Sequence, residues 1–380
     1  MKTATYKPLR LFVFYRYKCR PMNFLNKLFG KAPVQIRTYD EFWKWFAAHE
    51  KQFHKTVRKG EQIETLFFDK LSPVLHQLNE NFYCLTGMYD DDTAELVISA
   101  EGEIKAFVFA EDLVAAAPPM RGWRFTALKP AIGLDTGIRM SGYEFNAGNI
   151  SFYNSGDDAF PDEIDITFVH QEYDEDNKDT IGSGIQIFLE NALGELTASM
   201  QIDSMRFGAA NGNTLIPVAK LSEYLTWREA EFVEKYKNTQ WDGDGAFSLL
   251  EAQDEYNMPI FAALNTSLLQ WQHKPSHPWL LVLEIEYAYD ENGLPNNAAL
   301  DLLNQLEDEL LARLEPAGAP LYLGRKTNGG SRMIYFACRE FREVSRQTTA
   351  FIRQHPEHTI HYRIFKDKYW MTMDMFDISP

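Results

Sequence analysis

Cysteine is scarce in this 380-residue sequence: Cys19, Cys84 and Cys338 are an odd number at wide spacing. They supply neither the density of a secreted disulfide scaffold nor the paired spacing of a structural zinc site, so a reducing cytoplasm is the expected compartment. No run approaches the roughly 20 apolar residues that span a bilayer. The nearest thing to a leader, Leu11 to Tyr15 behind a basic start, is broken by Arg16, and no small-residue cleavage site follows. Also missing are the Gly-x-Ser-x-Gly elbow of a serine hydrolase and the glycine-rich loops that cradle nucleotides. Gly182-Ser183-Gly184 precedes an apolar run but completes neither fingerprint, and it reads as flexible glycines at a helix start.

Basic charge is short as well. Lys and Arg number 38 against 54 Asp and Glu, a net charge of -16, and the imbalance is uneven. Residues 1–31 carry +8, residues 32–253 carry -19 and residues 254–380 carry -5. An acidic body repels phosphate backbones, which excludes direct nucleic-acid binding as the expectation and favours a protein partner, a basic one best of all. The basic arm 1–31 reads either as disordered or as an over-extended start ahead of Met22, where a short amphipathic stretch begins.

Apolar residues are present in ordinary globular proportion, 45% with 14% aromatic, so the chain buries real cores, and its length predicts more than one domain. Phe42, Trp45, Phe46, His49, Phe53 and Val57 recur at helical steps and predict a helix over 39–58. A second helix over 61–80 carries Pro73 as a kink. Strands are predicted at 82–88, 95–100 and 103–110 as a meander, then a short helix at 111–117, with further strands at 123–128, 142–145, 150–153 and 164–169. Residues 171–180 read as a charged loop, and 181–193 and 221–237 as helices. The glycines and aspartates around Trp241 to Gly245 predict a hinge.

From residue 279 the periods sharpen. A strand at 279–287, a turn at Asn292-Gly-Leu-Pro295 and a helix at 298–315 capped by Asn296 or Asn297 lead to a hairpin around Asn328-Gly329. A helix at 340–354, stopped by Pro356, and a strand at 359–365 follow. The order βαββαβ is the ferredoxin-like arrangement. The expected fold class is therefore α+β in two parts: a mixed α+β domain with an antiparallel sheet over 32–240, a linker over 241–264 and a ferredoxin-like domain over 265–380.

Candidate chemistry is sparse. His355, His358 and His361 are three apart, but Pro356 ends the helix, and on a strand such spacing alternates faces. His273 and His277 flank Pro275 in a turn and read as surface residues. Asp242-Gly-Asp244 fails the calcium-loop pattern at Ala246, Phe247 and Gln253. Asp157, Asp158, Asp162, Glu163 and Asp165 read as a solvated acidic loop. Neither a metal nor a cofactor is expected. The hairpin Gly324 to Arg332 is the one basic spot, where Arg325 and Arg332 suit a carboxylate or phosphate unless neighbouring acids take them first.

These residues also carry a resemblance. His277-Pro-Trp279, Gly293-Leu-Pro295, Leu306-Glu307, Gly324-Arg325 with Thr327, Gly330 and Arg332, Tyr335-Phe336, and Lys366-Asp367 with Trp370 are similar to the domain of unknown function 695 family. That family is related to the regulator of ribonuclease activity B, an acidic ferredoxin-like bacterial protein that binds and inhibits ribonuclease E. The resemblance covers about residues 265–376, roughly a third of the chain, and no catalytic residues come with it. The expected binding residues are Arg325, Thr327, Arg332, Tyr335, Asp367 and Trp370. The expected function is a cytoplasmic, non-enzymatic protein-binding or regulatory protein. The alternatives are an antidote to a toxin nuclease, or an enzyme whose cleft uses the two arginines and Asp367.

Overall fold

The computed structural model describes residues 15–16, 35–243, 245–289 and 292–376. The rest of the arm 1–31, including the amphipathic stretch after Met22, lies outside the described residues, as does Asp244 of the calcium-like sequence. Helices and sheets mix throughout, so the class is α+β. The chain divides into two compact units, one running to Ile132 and taking in Leu193–Leu196, the other holding Gly133–Ala192 and everything from Thr197 onward.

In the first unit, β1 (Tyr15–Arg16) is followed by α1 (Tyr39–Lys59), which starts at a Thr38–Glu41 capping box and ends at Gly60. A wide π turn over Glu64–Phe68 leads into α2 (Asp69–Leu78), and Pro73 sits inside α2 without ending it. Then come β2 (Tyr83–Met88), β3 (Ala94–Ser99), α3 (Ile104–Ala115) and β4 (Trp123–Ala127), forming a sheet in the order β1-β2-β3-β4. The stretch 103–110 is thus not a third meander strand. Ala106, Phe107, Ala110 and Leu113 repeat at helical spacing and are fully buried, and the Leu113 carbonyl accepts the Trp43 indole N–H at 2.8 Å. A helix at this point allows β4 to lie parallel to β3, so the sheet is mixed rather than antiparallel. Buried Glu195 closes the unit, its carboxylate accepting from the Ser99 hydroxyl and from the amides of Ala100, Gly102 and Lys129.

The second unit opens with the ribbon β5 (Ile138–Met140) and β6 (Tyr143–Phe145), then β7 (Ile150–Asn154) and β8 (Asp165–His170). Next are α4 (Lys178–Leu193), α5 (Glu195–Gln201), β9 (Ser204–Phe207), β10 (Ile216–Pro217) and α6 (Leu221–Tyr236). The sheet order is β10-β7-β8-β9 with β8 and β9 parallel, repeating the hairpin–helix–parallel-strand pattern of the first unit. Gly182 and Gly184 lie inside α4 rather than at its start. A Cβ on Gly184 would sit 2.0 Å from the Phe145 ring, so this glycine exists to admit an aromatic side chain against the helix.

The remaining chain builds one six-stranded sheet from β11 (Phe247–Gln253), β12 (Pro259–Asn265), the short α7 (Thr266–Leu269), β13 (Trp279–Glu286), α8 (Asn297–Leu314), β14 (Leu321–Asn328), β15 (Ser331–Cys338), α9 (Arg342–Gln354) and β16 (Ile360–Lys366). Its order is β11-β12-β14-β15-β13-β16, antiparallel throughout. The stretch 241–264, expected as a linker, therefore carries most of a hairpin that extends the sheet. Gly324 marks the join: its φ is +136°, and a Cβ there would meet the Ala263 carbonyl oxygen of β12 at 2.2 Å. Leu280, Val282, Leu323, Tyr335 and Ala337 from the strands pack with Leu264, Leu268, Trp370 and Met373 in one buried cluster.

Candidate functional site

Helix α8 buries Leu303, Leu306, Leu310 and Leu314, and Glu307 falls on the same stripe. An acid at a core position needs a partner there, because an unpaired buried charge costs several kcal/mol. The hairpin supplies two. Arg325 Nη1 lies 3.1 and 3.0 Å from the two Glu307 oxygens, and Arg332 Nη1 donates to Glu307 Oε2 at 3.2 Å and to Asn304 Oδ1 at 2.8 Å. Arg332 Nε donates to Thr327 Oγ1 at 3.1 Å, and the Tyr322 hydroxyl also donates to Glu307. Burial lowers the Arg332 pKa against the opposing pull of Glu307, and burial with Glu307 raises that of Tyr322. Arg332 is only 2% exposed and committed inward; the Arg325 side chain, 35% exposed, holds the surplus positive charge.

The other expected binding residues face inward too. Tyr335 is buried, its hydroxyl donates to Met333 Sδ at 3.3 Å, and burial pushes its pKa up to about 12. Asp367 accepts from the amides of Met371 and Thr372 and so starts the 3-10 helix Met371–Phe376. Trp370 is fully buried at a φ of +57° and donates its indole N–H to the His277 carbonyl at 3.0 Å. His277 is not a surface residue: it is buried, and desolvation with the Arg339 charge lowers its pKa to about 3. Cys84 and Cys338 are buried free thiols. The structure brings Arg325, Thr327 and Arg332 together around Glu307, and places Asp367 and Trp370 elsewhere, in the turn after β16.

A second cluster was not foreseen. Asp203, between α5 and β9, receives Lys366 Nζ on one oxygen at 2.7 Å and Lys368 Nζ on the other at 2.7 Å, and also accepts the Ile164 amide. Lys366 donates further to the Met200 carbonyl, and Lys368 to the Asp162 carbonyl. Asp162 takes Lys235 at 2.8 Å and the hydroxyls of Tyr236 and Tyr369 at 2.7 and 2.8 Å. Burial raises both carboxyls, but the lysines outweigh it at Asp203, and the Lys235, Tyr236 and Tyr369 hydrogen bonds do so at Asp162, so both pKa values fall. Burial lowers Lys366 to about 8 despite Asp203, because one carboxylate is shared by two ammonium groups. Glu163 and Asp165 are raised, first by burial, and Asp165 Oδ1 is buried without a hydrogen-bond partner. The acidic stretch 157–165 is thus divided: Asp157 and Asp158 are exposed, while Asp162 and Asp165 are built in. Nothing in the local sequence around Asp203 signals this role; Lys366 and Lys368 carry a weak signal as two cations at one strand end.

Residues 254–376 match the model of a family of unknown function, DUF695. The match contains Glu307, Arg325, Arg332, Lys366 and Lys368, while Asp162, Asp203, Lys235 and Tyr236 fall outside it. No curated protein and no solved structure matches the chain. Among the described residues no helix is long and apolar enough to cross a membrane.

Proposed function

We propose that this chain is a non-enzymatic protein-binding protein that takes a basic partner, and that strand β11 is where the partner docks. The observation that carries this reading is the exposed apolar edge. β11 ends the six-stranded sheet, and Phe247 and Leu249 on one of its faces are 51% and 86% exposed, beside exposed Phe261 on β12. An edge strand offers unpaired backbone groups, and an apolar stripe beside it gives an extended segment side-chain pockets. Exposed Glu251 and Glu255 add negative charge in a chain of net charge -16, so a basic segment fits best. A nuclease with a positive cleft belongs to this class of partner, as does the ribonuclease implied by the resemblance to the regulator of ribonuclease activity B.

The four strands β13, β14, β15 and β16 with helices α8 and α9 form, in this reading, a ferredoxin-like core to which the β11–β12 hairpin is added. Support comes from the βαββαβ order and the antiparallel neighbours β16-β13-β15-β14. A cytoplasmic location goes with the two buried free thiols. The arginines that an anion-binding enzyme would need are engaged by Glu307. The Asp203 cluster favours an enzymatic reading only through its shifted pKa values, and its lysines already donate to protein oxygens.

Affinity capture from lysate of the native cell tests the proposal. At low salt the wild type is expected to retain a stoichiometric basic protein, which high salt releases and Leu249→Lys fails to retain. Background binding alone at low salt, or equal capture by the variant, overturns it.

A further inference from the structure

The loop from α9 to β16 gathers three ligand-type side chains. His355, Glu357 and His358 each offer a metal-ligand atom, and these atoms all lie within 4.8 Å of one another. Alternating strand faces do not apply to His358. It sits in a turn, its amide bonded to the His355 carbonyl at 3.1 Å, and only His361 lies in β16. The turn brings the two imidazoles to a centroid separation of 6.2 Å at an interplanar angle of 27°. Glu357 Oε1 then stands 3.7 Å from His355 Nδ1 and 3.4 Å from His358 Nε2. In a tetrahedral site with zinc–ligand distances near 2.0–2.1 Å, neighbouring ligand atoms are about 3.3 Å apart. The two separations therefore need adjustments of only tenths of an ångström.

The other side of His355 favours one tautomer. His355 Nε2 lies 3.1 Å from Glu309 Oε1 on α8. A neutral imidazole has one N–H, and a carboxylate at Nε2 takes it, leaving the Nδ1 lone pair toward Glu357 and His358. A carboxylate behind a ligating histidine is the usual outer-shell partner of a metal site. The ring is also held by Phe351, with centroids 4.8 Å apart. Solvent reaches the spot through Glu357, whose side chain is 58% exposed.

We propose that His355, Glu357 and His358 bind one divalent transition-metal ion of the zinc type, with Glu309 as a positioning residue and the fourth coordination place open to solvent. Two imidazoles and one carboxylate suit zinc or cobalt; calcium and magnesium prefer oxygen alone. Without metal the same groups make only histidine–carboxylate contacts, and solution measurement separates the two accounts.

The full chain, stripped with a chelator, is titrated with Co²⁺ by visible absorption and with Zn²⁺ by calorimetry. One ion per chain is expected, with Zn²⁺ displacing Co²⁺ and Glu357→Gln weakening binding at least tenfold. The double variant His355→Ala/His358→Ala is expected to abolish binding, while His361→Ala leaves it unchanged. Glu309→Gln weakens binding about tenfold and alters the Co²⁺ spectrum, while metal-free melting stays put, a combination that a merely structural role does not produce. Equal behaviour of wild type and double variant, whether both bind or neither does, overturns the proposal.

Discussion

Two carboxylates organise the second unit, Glu307 buried and Asp203 half-buried, and each is held by two cations, yet they do different work. Glu307 takes two arginines, all three residues lying within the family-matched segment 254–376. Asp203 lies outside that segment and takes two lysines from inside it. A guanidinium keeps its proton at any ordinary pH and forms planar, directional bonds, so the Glu307 network fixes geometry between helix and sheet. An ammonium is a compact charge whose pKa moves with burial, so the Asp203 cluster is the titratable one. The first network belongs to the core of the matched segment; the second ties that segment to the chain preceding it within the same unit.

The largest expected effect follows from removing the central acid of the arginine network. Glu307→Ala leaves Arg332 buried without its counter-charge and orphans the Tyr322 hydroxyl, so urea denaturation is expected to show a loss of about 3–5 kcal/mol. A loss under about 1 kcal/mol would mean that the arginines reach solvent and that the hairpin is available for an anionic ligand after all.

That network was partly legible. Asn328-Gly329 announced the hairpin because turn chemistry is local, and neighbouring acids were the plain alternative partners for its arginines. Glu307 falls on the leucine stripe of α8, which only the structure shows to be buried against the two arginines. Other features depend on contacts distant in sequence. The strand expected at 103–110 is a helix, because Phe107, Val108 and Phe109 have β propensity but tertiary packing of α3 on Trp43 overrides it. Glu309 meets His355 across 46 residues, and Asp203 meets Lys368 across 165, distances over which no periodicity speaks. The exposed face of β11 was hidden by the glycines and aspartates just before it, which read as a hinge.

Asp203→Asn probes the second network with a smaller effect, about 2 kcal/mol near neutral pH, since Lys366 and Lys368 keep their carbonyl acceptors. The folded-state pKa of Asp203 is lowered, so its contribution is present above the ordinary carboxylate value of 3.8 and is lost as pH falls through the folded value. The difference between wild type and variant, measured by denaturation along a pH series, is expected to shrink on acidification. A constant difference would show that the carboxylate does not act through charge.

Lys366→Met tests the asymmetry of the pair with the smallest change. Lys368 still serves Asp203, and a cation whose pKa burial depresses is a burden when charged, so near neutral pH the variant is expected to be as stable as wild type or up to about 1 kcal/mol more stable. Between about 8 and the ordinary 10.5, folded Lys366 has released its proton while the unfolded chain still holds it. The unfolded state binds more protons there, so wild-type stability relative to Lys366→Met rises with pH across that window and is flat on either side. A relative stability that instead falls with pH would mean that the Asp203 attraction exceeds the desolvation of Lys366. The lysine cluster would then be a fixed ion pair like the arginine network, and the contrast between the two carboxylates would vanish.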